Sequence, residues 1–166
     1  MTESQIRQLK ELTWLDTCAN IVLAGPPGLG KTMIAVGLGL EAINTGYTVY
    51  FEKMVVNLIK ILDTAETKRS VGFRIKNIKK AQMIIIDKIG YMPISRSQAN
   101  RFFTFISDTY ETSPIVFTTN KEITDRAEMT GDPVLTTALL DRILHHAKCF
   151  FLRGESYQLK HPELFT

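Results

Sequence analysis

Hydrophobic positions in this chain fall into two alternating patterns. Short, nearly continuous apolar runs occur at "NIVLAG" (20–25), "TVYFE" (48–52), "MIIID" (83–87), "PIVFTTN" (114–120) and "KCFFLRG" (148–154). Longer stretches with apolar steps of three and four lie between them. The runs read as strands and the stepped stretches as helices. Ile6, Leu9, Leu12 and Leu15 form one stripe over 4–16, and "KTMIAVGLGLEAINT" (31–45) is an apolar helix with Gly46 as its stop. Val55, Leu58, Ile59 and Leu62 share one side of 54–65. Ser95 and Gln98 have capping-box spacing before a helix whose stripe is Ala99, Phe102, Phe103, Ile106 and Tyr110. Asp132 and Pro133 form an N-cap and N1 pair for a helix reaching about His146. Continuous apolar strands separated by helices predict a five-stranded parallel sheet covered on both faces. Residues 121–132 are the least regular stretch and read as a loop.

"GPPGLGKT", Gly25–Pro26–Pro27–Gly28–Leu29–Gly30–Lys31–Thr32, fits G-x-x-x-x-G-K-[ST] in full, between a strand and a helix. The glycines allow tight turns that aim backbone N–H groups at phosphate oxygens, and the helix N-terminus adds its positive dipole end. Lys31 supplies a point charge to the terminal phosphates, and Thr32 offers a hydroxyl to Mg²⁺. Asp87 ends an apolar strand, as the metal-holding carboxylate of such sites does, where it would hold Mg²⁺ through water; from the residue alone it could also be a strand-end cap.

Composition narrows the picture further. Hydrophobic content of 45% and charged content of 22% fit a soluble globular chain in the cytoplasm. No apolar run reaches the roughly 18–20 residues that span a bilayer, so no membrane partner is expected. Cys18 and Cys149 match no metal spacing and read as buried, reduced thiols. The net charge of +3 is unevenly spread, with eight Lys/Arg against two acids between Lys53 and Lys80. Lys68, Arg69, Arg74, Lys76, Lys79 and Lys80 are its densest part and suit phosphate neutralisation on DNA without sequence preference. Phe73 could stack or wedge there. The same segment also fits a solvated helix face with Phe73 and Ile75 turned to the core. His145 and His146 are adjacent, which would place them on different helix faces and excludes a shared metal.

The phosphate loop and its flanks, "MIIIDKIGYMPISRSQANRFFTFISDTYE", "IVFTTN" and "GDPVLTTALLDRILHHAKCFFLRGESYQLK" together resemble the IstB family of ATP-binding helper proteins of bacterial insertion sequences. That family is similar to the DnaC-type helicase loaders, and both are AAA+ ATPases. The resemblance implies an AAA+ P-loop core over 20–166 after a short helical segment over 1–19. It implies no C-terminal lid domain and less N-terminal helical region than relatives have, as in a shortened copy or fragment. It also implies a homo-oligomer formed with ATP on DNA, helping a transposase. By position, Asn120 would sense the γ-phosphate, and Arg142 would reach the ATP of an adjacent copy. From the residues alone, Asn120 could equally cap a turn, and Arg142 could form an ion pair within the chain.

Relatives typically have an acid where Lys88 stands. A protonated lysine, with an unperturbed pKa of about 10.4, cannot take a proton from water. Beside Asp87 and a triphosphate its charged form is favoured. Slow hydrolysis is therefore expected, unless Glu52, at the tip of the second strand, acts as base. Three functions remain open: a transposition helper, a DnaC-like loader, or a nucleotide-binding assembly module without turnover.

Overall fold

The computed structural model describes residues 1–65, 68–89, 94–110, 112–120 and 133–154. Asp132, the 121–132 loop and Glu155–Lys160 of the family motif lie outside the described residues.

The five apolar runs are strands β1 (Asn20–Ala24), β2 (Val49–Glu52), β3 (Met83–Ile86), β4 (Ile115–Thr119) and β5 (Ala147–Phe151). All pair in parallel, in the order β2-β3-β4-β1-β5. β1 and β3 are buried along their whole length, which is why they read as unbroken apolar runs. The edge strands β2 and β5 are only partly covered. β4 lies between β1 and β3, so their tips stand two strand spacings apart, roughly 9–10 Å.

Helices α1 (Glu3–Lys10), α2 (Thr13–Asp16) and α3 (Lys31–Asn44) cover one face, where Leu9, Trp14 and Leu38 meet Ile21, Leu23 and Ile85. Helices α4 (Val55–Ala65), α5 (Arg69–Lys79), α6 (Arg96–Thr109) and α7 (Pro133–Leu144) cover the other, against Val22, Ile84, Ile86 and Phe117. Alternate residues of β1 and β3 thus feed two cores, as strand geometry requires. The predicted side of α4 is the buried one. The Ser95–Gln98 capping box forms, and Gly46 closes α3 at φ 95°.

Three details depart from the expected pattern. The single helix over 4–16 breaks at Leu12, which adopts φ 57°. The break lets Leu12 and Trp14 both enter the core, at 5% and 1% exposure, with the indole Nε1 donating to the Leu9 carbonyl at 2.9 Å. Burying an indole of roughly 150–250 Å² at about 25 cal/mol/Å² outweighs a left-handed residue costing about 1–2 kcal/mol. In α6 the buried face includes Phe105 and Thr109, with Phe103 only half-buried. Thr109 can be buried because its hydroxyl donates to the Phe105 carbonyl at 2.9 Å. In α5, Ile78 is buried and Ile75 packs on the core, but Phe73 is 59% exposed.

Candidate functional site

Gly25 opens the phosphate loop where β1 ends. A Cβ there would sit 2.4 Å from the Leu152 carbonyl oxygen, so only glycine fits. Leu152 in turn donates its N–H to the Ala24 carbonyl at 2.8 Å, pinning the loop to the end of β5. Gly30, at φ 80°, is the N-cap of α3 and takes the left-handed turn that starts the helix. Lys31 follows, buried, its Nζ donating to the carbonyls of Gly25 at 2.7 Å and Pro26 at 2.6 Å. Burial holds its pKa below the ordinary lysine value; Asp87 works against that shift and Lys88 adds to it. Both carbonyls are groups that a phosphate can replace as lysine partners.

Asp87, 1% exposed, stands opposite at the tip of β3. Thr32 Oγ1 lies 3.0 and 3.1 Å from its two carboxylate oxygens, donating to that carboxylate. Thr118 of β4 also donates its hydroxyl to Asp87. Thr118 Oγ1 accepts the Lys88 N–H at 2.8 Å, and the Thr118 carbonyl accepts the Ile89 N–H at 2.7 Å. These bonds hold Lys88 at φ 60°, a left-handed conformation uncommon for a lysine. Thr118 is a site residue that sequence reasoning did not find, because a threonine in an apolar run reads as an ordinary strand former.

A cleft of about 840 Å³ lies over these residues. Lys31, Thr32, Lys88, Thr118 and Asn120 line its polar end, and Ile6, Leu29, Leu152 and Arg153 line another part. The volume suits a small-molecule cofactor. Thr32 lines the cleft and its hydroxyl is bonded to the buried Asp87 carboxylate behind it; these hard oxygen donors fit Mg²⁺, an ion that takes one or two carboxylates plus substrate phosphates. Among the described residues no cluster of three His, Cys, Asp or Glu could hold a metal by itself. Glu52 is not on the cleft wall; its carboxylate accepts from the Tyr50 hydroxyl at 2.9 Å and from Asn57 Nδ2 at 3.1 Å. Burial and the bond to Glu52 push the Tyr50 hydroxyl up to about 12, partly offset by Arg74 beside it.

Arg142 is elsewhere. It sits near the end of α7, just before β5 starts, and β5 starts beside the first residue of β1. The cleft is at the other end of these strands, a five-residue strand or about 16 Å away. The Arg142 guanidinium carbon lies 4.1 Å from the centre of the Tyr110 ring. No ion pair to Arg142 forms among the described residues, and its Nε is buried without a hydrogen-bond partner. His145 and His146 lie beyond the end of α7, so the helix-face argument does not apply to them. Both rings face Tyr110, with His145 Nδ1 2.6 Å from its hydroxyl.

Of the basic segment, Lys68, Arg69, Arg74, Lys76 and Lys80 are exposed on and around α5. Lys79 is tied to Asp108 at 2.6 Å. Neither cysteine is buried; Cys18 is half-exposed and Cys149 is exposed on edge strand β5, and neither forms a disulfide. No helix among the described residues is long and apolar enough to cross a membrane.

A parallel sheet with one strand inserted between the phosphate-loop strand and the acid-bearing strand, and a glycine cradle facing that acid, defines a P-loop ATP-binding protein of the AAA+ type. A family model described as IstB-like ATP binding protein matches residues 1–164, and the chain belongs to that family. It is 38% identical over 158 residues to the ATP-binding protein of insertion sequence IS21 from Pseudomonas aeruginosa, covering 93% of this chain and 58% of the relative. It is 40% identical over 162 residues to the ATP-binding protein of insertion sequence IS5376 from Geobacillus stearothermophilus, covering 98% and 64%. The chain therefore spans about three-fifths of the length of these relatives. In fold it is similar to DnaI (TM-score 0.74, 18% identity, covering 92% of this chain and 82% of that one). It is also similar to the DnaC helicase loader (0.73, 18%, 90% and 87%).

Proposed function

We propose that this protein binds Mg-ATP in the cleft above β4, assembles on duplex DNA in that state, and assists the transposase of an insertion sequence. We further propose that Lys88 makes its hydrolysis slow. The observation that most supports this reading is the contact between the Thr32 hydroxyl, at the end of the glycine cradle, and the Asp87 carboxylate. The backbone from Gly25 to Thr32 would surround the phosphates, and Lys31 would exchange two carbonyls for phosphate oxygens. Thr32 and Asp87 would hold the magnesium ion, which neutralises charge on the terminal phosphates when bound. Asn120 extends from the tip of β4 into the cleft, where its amide would meet the γ-phosphate or the attacking water.

Lys88 occupies the place of the water-activating acid and lines the same cleft. A positioned general base contributes typically about 10²–10⁴ in rate, and a protonated lysine supplies none of it. Glu52 is a poor substitute, because both of its carboxylate oxygens are engaged away from the cleft wall. The module without turnover is the limiting case of this reading.

Exposed cations of α5 favour DNA backbone contact, which needs no base-reading element; a cytoplasmic location is part of the same proposal and agrees with a DNA partner. The insertion-sequence relatives, at 38% and 40% identity, favour the transposition role, whereas DnaI and the DnaC helicase loader, at 18%, share the fold. Titration calorimetry in magnesium buffer is expected to detect ATP, ADP and a stable analogue. Sedimentation is expected to show larger species with ATP, and larger still with duplex DNA. No heat with any nucleotide would end the reading, and a helicase rather than a transposase recovered in a pull-down would redirect it.

A further inference from the structure

Arg142 is a cation that the described residues leave without a counter-charge. It is half-buried, its Nε is sealed from solvent, and no described acid approaches it. A guanidinium keeps its charge at any ordinary pH, so it cannot relieve that situation by losing a proton. Among the described residues, the Tyr110 ring lies against it, centred 4.1 Å from the guanidinium carbon. A ring face attracts a cation without using its N–H donors. The ring is itself fixed, because the Tyr110 hydroxyl meets His145 Nδ1 at 2.6 Å and His146 stands against it at 5.6 Å.

We infer that Tyr110, ordered by His145, is a positioning residue that holds Arg142 as an open phosphate seat for the nucleotide of a second copy of this chain. This rests on the proposed assembly with ATP and on the role between copies that the resemblance implies for Arg142, and names the device that prepares it. An aspartate or glutamate in place of Tyr110 would anchor the guanidinium equally well, but would neutralise it and occupy its donors. The aromatic face anchors it and leaves both free. The chain's own cleft is about one strand length away, so the phosphate must come from outside.

Mixed pairs test this. One copy carries Lys31→Ala and supplies only Arg142; the other carries Arg142→Ala and supplies only a nucleotide site. Their dissociation constant is measured by sedimentation with a non-hydrolysable ATP analogue. Tyr110→Leu in the Arg142-supplying copy is expected to weaken the pair about tenfold, within the range of cation–π contacts. Tyr110→Phe there should weaken it only about twofold. Tyr110→Leu in the nucleotide-supplying copy should have the smaller effect of the two placements. Equal weakening from both placements, which a general packing role would give, overturns the inference, as does no weakening from either. If the single Arg142→Ala variant self-assembles with nucleotide as the unaltered chain does, the role of Arg142 between copies fails first. A third arm measures duplex DNA binding across salt concentrations without nucleotide. If Arg142→Ala and Tyr110→Leu each reduce the salt slope by about one, the seat takes DNA phosphate instead, and the inference is overturned.

Discussion

At the C-terminal ends of the strands, Lys31 is buried and donates to two carbonyls of its own loop. At the opposite end, Arg142 is half-buried against a ring, with no hydrogen bond among the described residues. The first cation is satisfied without a ligand and can trade its partners for phosphate. The second is prepared but has no hydrogen-bond partner among the described residues. A lysine tolerates burial because its charge can be shed, whereas an arginine keeps its charge and must be matched. The contrast separates a binding site that a single chain contains from one that it contributes to.

The cleft end can be sharpened most by Lys88→Asp. Restoring an acid there is expected to raise steady-state phosphate release by about 10²–10⁴; equal, brisk release from both chains would refute slow hydrolysis. Lys31→Ala comes next. Losing two charge-assisted bonds to phosphate, at about 1.5–3 kcal/mol each, should lower ATP affinity by at least about 100-fold in calorimetry. Unchanged affinity would erase the contrast between the two cations. On DNA, replacing Lys68, Arg69 and Lys76 together with glutamine should make the salt dependence of binding shallower by about three. Lys79→Gln should change it less than any one of these, since Lys79 is already paired with Asp108. The smallest effect is a proton. Burial holds Lys31 below its ordinary pKa, so part of it is neutral in alkaline buffer, and a bound triphosphate favours the charged form. ATP binding at a pH of about 9 should therefore take up protons, and the uptake should fade toward neutral pH. Calorimetry in buffers of different ionisation enthalpy reads the sign, and proton release would count against it.

Much of this architecture was legible because it is local. The five apolar runs, the cradle Gly25–Thr32 and the Ser95–Gln98 cap are each set by residues close in sequence. Asp87 could be placed because an apolar run ends there. Thr118 could not, since its role depends on the register that sets Phe117 beside Ile86 and brings its hydroxyl to Asp87. The break at Leu12 was hidden because it satisfies Trp14, a tertiary demand that overrides helical periodicity. The Tyr110–Arg142 contact joins two helices 32 positions apart, and no spacing rule relates them. Phe73 shows the limit of periodicity, as a large apolar side chain that the fold leaves in solvent.

β4 is bonded to a neighbour on each side and reaches from the Tyr110 end to the cleft. So supported, it cannot stretch, and it acts as a ruler between the two phosphate-facing cations. If copies join by setting one end on the next, that fixed length dictates the pitch of the array, and head-to-tail joining yields a filament unless the rotation closes into a ring. An open filament of such units always has one fewer completed junction than it has members, so its two tips are chemically distinct from each other and from its interior.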